Sequence, residues 1–204
     1  MITIVALGDS TTAGTPGFKS PIEAPPHGEG NEESQYAYWL MRAHPDWRVL
    51  NRGVNGERSD QIAARFARDV AQNAPRVVVV VAGVNDIYQG RAADVVVREL
   101  DAMYNAARRA GIAVVAGTIL PYNTATPDAN RRMHAVNEWI HTRAASDDVP
   151  IFCDTRMAVA TPGDRDRLVS SPDDLHPSPE GYRLMARALE PAIAAALSGA
   201  QSLR

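Results

Sequence analysis

The first apolar run of this chain, Ile2 to Leu7, ends in Gly8-Asp9-Ser10, and much later Asp173-Asp174-Leu175-His176-Pro177 sets a carboxylate three residues from an imidazole. A serine hydroxyl is a poor nucleophile until a neighbouring base accepts its proton, and that base needs a partner to hold its tautomer. Ser10, His176 and Asp173 supply those three residue types, so the chemistry open to them together is nucleophilic acyl transfer. Taken singly, each signal is weak. Gly-Asp-Ser is ordinary turn composition, and Asp-x-x-His-Pro also suits the start of a helix, where acids are favoured. Pro177 does add one constraint, because it biases His176 towards extended backbone and limits how the ring is presented.

Acyl transfer also needs hydrogen-bond donors for the developing oxyanion. Two further loops could supply them: Asn51-Arg52-Gly53-Val54-Asn55-Gly56-Glu57-Arg58-Ser59 and Gly83-Val84-Asn85-Asp86. A glycine N–H can come close to a substrate, and the Asn85 amide is a side-chain donor. The same compositions also suit plain strand-to-helix turns, so Gly53 and Gly56 both remain candidates at this point.

Residues so far apart in sequence need a scaffold to bring them together, and the apolar patterning predicts one. Strand-like runs cover Ile2–Leu7, Trp47–Asn51, Val77–Ala82, Ala113–Thr118 and Pro150–Cys153. Helical patterns cover Gln35–Ala43, Asp60–Asn73, Ala92–Ala110 and Asp128–Ala145, and a last helix runs from Pro179 to about Ser198 with Ser178 as its N-cap. Short strands alternating with longer helices predict βαβ units in an α/β fold: a three-layer α/β/α sandwich around a flavodoxin-like, mostly parallel five-stranded sheet. In such a sheet ligands bind at the C-terminal ends of the strands, where Ser10 stands. Thr15–Ser34 (TPGFKSPIEAPPHGEGNEES) breaks the pattern, being rich in proline, glycine and acids. A loop this long either walls the pocket or forms a loose surface insertion, and it could also serve as a contact arm.

Composition removes several other functions. With 204 residues, 45% hydrophobic and 22% charged, the chain can bury one sizeable core, and a single domain over residues 1–204 is expected. A net charge of −3 gives no basic footprint for nucleic acid. No apolar stretch approaches the roughly 20 residues that cross a bilayer, so no membrane partner is expected. The lead-in before Gly8 is too short for a signal peptide, which predicts a cytoplasmic protein. The lone Cys153 excludes an intramolecular disulfide and reads as a small core residue. His27, His44, His134 and His141 lack metal-ligand spacing, and neither a metal nor another cofactor is expected. Tyr36 and Trp39 share a helical face and are expected in the core. Arg65, Arg68, Arg108, Arg109, Arg131 and Arg132 read as solvated helix faces. Tyr122 and Asn123, just past the fourth strand, are candidate pocket residues.

Four loops, after the first, second, third and last strands, each carry a residue type the reaction needs. In this the chain resembles the SGNH subgroup of the GDSL hydrolases. Four blocks match in order: Gly8-Asp9-Ser10 with Ala13-Gly14, Asn51 to Ser59, Gly83 to Asp86, and Asp173 to Pro177. The resemblance implies Ser10 as nucleophile, His176 as general base and later acid, and Asp173 as orienting carboxylate. It also implies an oxyanion hole made of the Ser10 N–H, a second-block glycine N–H and the Asn85 side chain. Its glycine precedes an acidic or small residue and a Ser/Thr, which selects Gly56 over Gly53; its aspartate stands three before the histidine, which selects Asp173 over Asp174. Asp9 is left to fix the turn below the nucleophile. Thr11-Thr12 departs from the leucine that family members often carry there, with scope to alter pocket polarity. The implied activity is hydrolysis of small or short-chain carboxylic esters through an acyl-enzyme, with no cofactor. Alternatives on the same site are acyltransferase, thioesterase or lysophospholipase action, and in another class a non-catalytic binding module. A Gly-x-Ser-x-Gly elbow is absent, since Ser10 is followed by Thr12 at the second glycine position.

Overall fold

The computed structural model describes residues 1–146 and 150–199. Five parallel strands form the central sheet: β1 Ile2–Gly8, β2 Trp47–Gly53, β3 Val77–Val81, β4 Ala113–Gly117 and β5 Ile151–Cys153. Their spatial order is β2-β1-β3-β4-β5. Five main helices cover the sheet: α1 Tyr36–Ala43, α2 Ser59–Ala64, α3 Ala93–Arg109, α4 Pro127–Ala145 and α5 Pro179–Gly199. The α/β three-layer architecture is therefore as expected, with the sheet wholly parallel.

Alternation along the strands explains the two-sided core. In β3 the odd valines Val77, Val79 and Val81 join Ile4, Ala6 and Val115 on the face covered by α1 and α5. Val78 and Val80 join Val5, Leu7, Val114 and Ala116 on the face covered by α2, α3 and α4. All five valines of β3 are buried, each stabilising the fold by about 1.5–3 kcal/mol relative to exposure. β-Branched residues on both faces suit a strand with neighbours on each side and helices above and below.

Strand order fixes where chemistry can occur. The chain passes from β1 outward to β2, then returns to the other side of β1 as β3. The C-terminal ends of β1 and β3 therefore diverge into opposite layers and leave a crevice between them. Ser10 leaves β1 at that crevice, and Gly83-Val84-Asn85 leaves β3 beside it.

Three expectations are corrected. The single helix over Asp60–Asn73 is instead α2, a short helical turn Phe66–Asp69 and a 3-10 turn Ala71–Asn73. The break falls at Arg65, whose backbone leaves helical angles (φ −99°, ψ 5°) while its guanidinium is drawn to the carbonyls of Gly8 and Arg52. Arg65 is therefore buried rather than solvated. Trp39 is only partly buried, its indole N–H donating to Glu33 O at 2.9 Å.

Thr15–Ser34 is neither loose nor a wall of the Ser10 cavity. It folds into a small antiparallel pair, Phe18–Lys19 with Glu29–Gly30, followed by a 3-10 turn at Glu32–Ser34. Ser20, fully buried, donates to Gly53 O at 2.6 Å, and Glu23 Oε1 accepts the Asn55 N–H at 2.9 Å. The segment braces the loop after β2 from behind.

Candidate active site

Ser10 opens a four-residue helical turn, Ser10–Ala13, directly after β1. Asp9 caps that turn, its Oδ1 accepting from the Thr11 N–H at 2.9 Å and the Thr11 hydroxyl at 2.8 Å. The cap tilts Ser10 to the tip of the strand with its backbone N–H at the helix start, where N–H groups have no intrahelical partner. Thr11 lines the cavity, but its hydroxyl is turned back to Asp9. The polarity expected from threonine in place of leucine is thus largely absorbed beneath the site.

A continuous line of hydrogen bonds runs through the three expected residues. His176 Nε2 lies 2.9 Å from Ser10 Oγ, and His176 Nδ1 lies 2.7 Å from Asp173 Oδ2. The second carboxylate oxygen of Asp173 accepts the backbone N–H groups of His176 (2.8 Å) and Leu175 (3.0 Å). Three residues of spacing in a turn let one carboxylate hold both the ring and the backbone that carries it. Burial would raise the Asp173 carboxyl, but the bonds from the His176 ring and these two N–H groups outweigh it and hold it below the usual carboxylate range.

Asp174 adopts a left-handed backbone at φ 63°, a conformation that aspartate tolerates better than most residues. It is held there by Asn123, whose N–H meets Asp174 O at 2.8 Å and whose Nδ2 meets Asp174 Oδ1 at 2.9 Å. Asn123 Oδ1 accepts the Leu168 N–H at 2.9 Å. Asn123 does not line the cavity; it fastens the Asp-His loop to the hairpin Ala160–Leu168. Its neighbour Tyr122 does line the cavity.

The two glycines of the second loop separate clearly. Gly53 ends β2 with its N–H taken by Asn51 Oδ1 at 3.0 Å, and a β-carbon there would collide with the backbone of Ala13. It is a packing glycine. Gly56 sits at φ 77° in the turn closed by Glu57 N–H to Val54 O, with open space where a β-carbon would go. Among the described residues, neither its N–H nor that of Ser10 is engaged within the chain. Asn85 Nδ2 gives one hydrogen to Glu57 O at 2.9 Å and retains the other. Gly53→Ala is expected to lower the melting temperature sharply through backbone overpacking of about 1–3 kcal/mol or more. Gly56→Ala should lower it by only the ~1 kcal/mol of a left-handed alanine. Equal thermal shifts would contradict this division of roles.

Asp86, fully buried, anchors the second loop to the third: it accepts the Ser59 N–H at 2.7 Å and the Ser59 hydroxyl at 2.9 Å, while Arg91 Nη1 meets it at 2.9 Å. Its type and spacing do not mark it out, although it directly follows Asn85.

Asp9 carries a second signal. Its Oδ2 is buried without a hydrogen-bond partner, and burial pushes the carboxyl up from 3.8 to about 6 against the Thr11 bonds. Between those values the folded chain keeps a proton that the unfolded chain has released. Stability therefore falls as pH rises from 3.8 to about 6, and the whole penalty is present above 6. Asp9→Asn keeps a capping acceptor without the charge. It should raise stability by on the order of 1–3 kcal/mol well above that window and leave it unchanged below it. Thermal melts at the two ends of the range check this, and the same gain at both would refute it.

The cavity over Ser10 measures about 160 Å³ and is lined by Ser10, Thr11, Asn55, Val84, Asn85, Tyr88, Tyr122, Leu175 and His176. Larger hollows occur, such as one of about 480 Å³ beside Phe18 and Tyr38, but it holds neither Ser10 nor His176. Tyr88, which no sequence motif singles out, is 62% exposed at the rim, its ring packing edge-on against Tyr122 at 5.7 Å. Cys153 lies apart, buried against Ala188 O at 3.3 Å, with burial raising its thiol to about 12. Among the described residues no helix is long and apolar enough to cross a membrane.

Solved structures share this fold. A protein assigned to the lipolytic G-D-S-L family from Desulfitobacterium hafniense superposes with a TM-score of 0.78 at 21% identity, covering 94% of this chain and 99% of its own. A GDSL-like lipase from Bacteroides thetaiotaomicron gives 0.72 at 24%, covering 96% and 89%. A catalytic mutant of an acetylxylan esterase from Geobacillus stearothermophilus gives 0.72 at 21%, covering 94% of each. No curated protein sequence matches significantly. The model of the GDSL-like lipase/acylhydrolase family matches residues 6–184, a span that takes in all four loops at the sheet edge, and the chain belongs to that family.

Proposed function

We propose that this protein hydrolyses small, uncharged carboxylic esters through an acyl-enzyme on Ser10. The observation that carries the reading is the unbroken line from Asp173 Oδ2 through the His176 ring to Ser10 Oγ, at 2.7 and 2.9 Å, on the floor of a cavity. Ser10 Oγ attacks the ester carbonyl while His176 Nε2 takes the hydroxyl proton, and the Asp173 carboxylate balances the imidazolium. The carbonyl electrons move onto its oxygen, which faces the N–H groups of Ser10 and Gly56 and the free hydrogen of Asn85 Nδ2. Collapse breaks the bond to the alcohol oxygen, which leaves with the proton from His176. Water then repeats the sequence on the acyl-enzyme, releasing the acid and restoring Ser10.

Size and lining support the substrate class. A cavity of about 160 Å³ is small, which suits a short acyl group better than a long chain. Val84, Tyr88, Tyr122 and Leu175 give it apolar walls, and no lysine, arginine, aspartate or glutamate lines it. A chain-length series of nitrophenyl esters, with Ser10→Ala as control, tests both parts. Turnover should peak at acetyl to butyryl and vanish in the variant. A peak at long chains would remove the size argument, and activity surviving in Ser10→Ala would remove the assignment.

A further inference from the structure

Arg65 belongs to none of the groups given a chemical role above, yet it is only 7% exposed and heavily ligated. Its Nη2 donates to Gly8 O at 2.8 Å, two residues before the nucleophile. Its Nη1 donates to Arg52 O at 2.8 Å and to Asp69 Oδ2 at 2.9 Å, and its Nε donates to Glu57 Oε2 at 2.6 Å. One cation thereby gathers acceptors from the end of β1, the end of β2, the loop that carries Gly56 and the turn after α2. A guanidinium can do this because its donors point in fixed directions from one plane; an ammonium is a point charge on a flexible stem.

Glu57 is where this clamp meets the reaction site. Its side chain is held by Arg65, its carbonyl by Asn85 Nδ2 at 2.9 Å, and its backbone continues directly from Gly56. The three donors proposed for the oxyanion sit on three separate loops. The path Gly8–Arg65–Glu57 ties the first to the second, and the Glu57 carbonyl ties the second to the third. Oxyanion donors act by being fixed before charge develops, so their mutual spacing carries the effect.

From this geometry we infer that Arg65 is a positioning residue for the oxyanion site, setting the spacing of the Ser10, Gly56 and Asn85 donors. The inference rests on the acyl-enzyme reading above. It assigns Arg65 no contact with substrate; its influence passes through Gly8 and Glu57.

A simple structural brace and a positioning residue differ in what they perturb. Loss of a brace lowers thermal stability and cuts apparent kcat through the amount of folded protein, while KM and the inhibition constant of the folded fraction stay as they were. Loss of positioning weakens binding of the tetrahedral state in protein that is still folded. The test uses Arg65→Lys and Glu57→Gln, assayed for kcat and KM on a short nitrophenyl ester and for the inhibition constant of a small alkylboronic acid. The boronic acid takes an electron pair from Ser10 Oγ, whose proton passes to His176, and so mimics the anionic tetrahedral state. In folded Arg65→Lys, kcat should fall about 10- to 100-fold with KM changed less than about threefold, and boronate binding should weaken by a factor similar to that in kcat. Glu57→Gln should show the same pattern, and it carries the test alone if Arg65→Lys does not fold. Full boronate affinity would overturn the inference whether or not kcat falls, as would a loss confined to KM. Ser10→Ala run in parallel separates the two levels: activity there defeats the reading of the site, whereas an inactive Ser10→Ala beside a fully active Arg65→Lys defeats only the role of Arg65.

Discussion

In Ser10→Ala, hydrolysis of a short activated ester is expected to fall by about 10⁴-fold or more with the melting curve essentially unchanged. The hydroxyl makes its side-chain bond to His176, and Ser10 is otherwise a small buried residue at the start of a turn capped by Asp9. Alanine fits that turn, so the fold has little to lose. Removal of His176 should cost a comparable factor, because without a base the hydroxyl reverts to a weak nucleophile. The double variant should be hardly worse than either single one, since the two residues perform one proton transfer between them. Asp173→Asn belongs to the same series with a smaller loss, and it also disturbs the carboxylate that accepts the N–H groups of Leu175 and His176. Steady-state rates on each purified variant, with melting curves, check the series. A multiplicative double variant would mean that Ser10 and His176 act separately, contrary to the geometry.

Asn85→Ala is expected to lower kcat by about 10²- to 10³-fold, or about 2.7–4 kcal/mol of barrier, with KM nearly unchanged. On the proposed reading, the asymmetry follows from what the amide faces. A neutral ester carbonyl asks little of a donor, whereas the oxyanion asks much, so the lost hydrogen bond is felt mainly in the transition state. Asn85 also holds the Glu57 carbonyl, and alanine releases that tie as well. Asn85→Asp places a carboxylate beside the oxyanion and should be at least as harmful. Steady-state kinetics on the preferred ester decide the matter; a rise in KM at constant kcat would show that Asn85 binds substrate and transition state alike.

Much of this arrangement is legible in the amino-acid sequence, for physical reasons that differ by residue. The run Val77–Val81 can be read because a strand buried on both faces must be continuously apolar and prefers β-branched side chains. Ser10 and Asn85 can be read because each lies just past such a run. The Asp173–His176 pair can be read because a three-residue spacing lets the two side chains meet, and in each case the chemistry restricts residue type. Arg65 cannot be told from a solvated arginine by its type. The one available hint is its place three residues after the buried Ile62 and four before the buried Asp69, on the inward stripe of the helical pattern. Asn123 is misread as a pocket residue because its position after β4 points to the functional edge, while its partner Asp174 is remote in sequence. The bracing role of Thr15–Ser34 is hidden for a similar reason. Ser20 and Glu23 act on Gly53 and Asn55, across a separation at which composition carries no information.

Ser10 and His176 are 166 positions apart in the chain, one before any helix has formed and the other at the threshold of the last. On the proposed reading, ribosomal synthesis makes the nucleophile 166 positions before its base, and a nascent chain has no complete site until residue 176 has emerged. Far-ultraviolet circular dichroism reports the sheet and helices, whereas ester turnover on the proposed reading also requires the loop bearing His176 to be docked against Ser10. For this molecule, regained activity is a stricter gauge of nativeness than regained secondary structure.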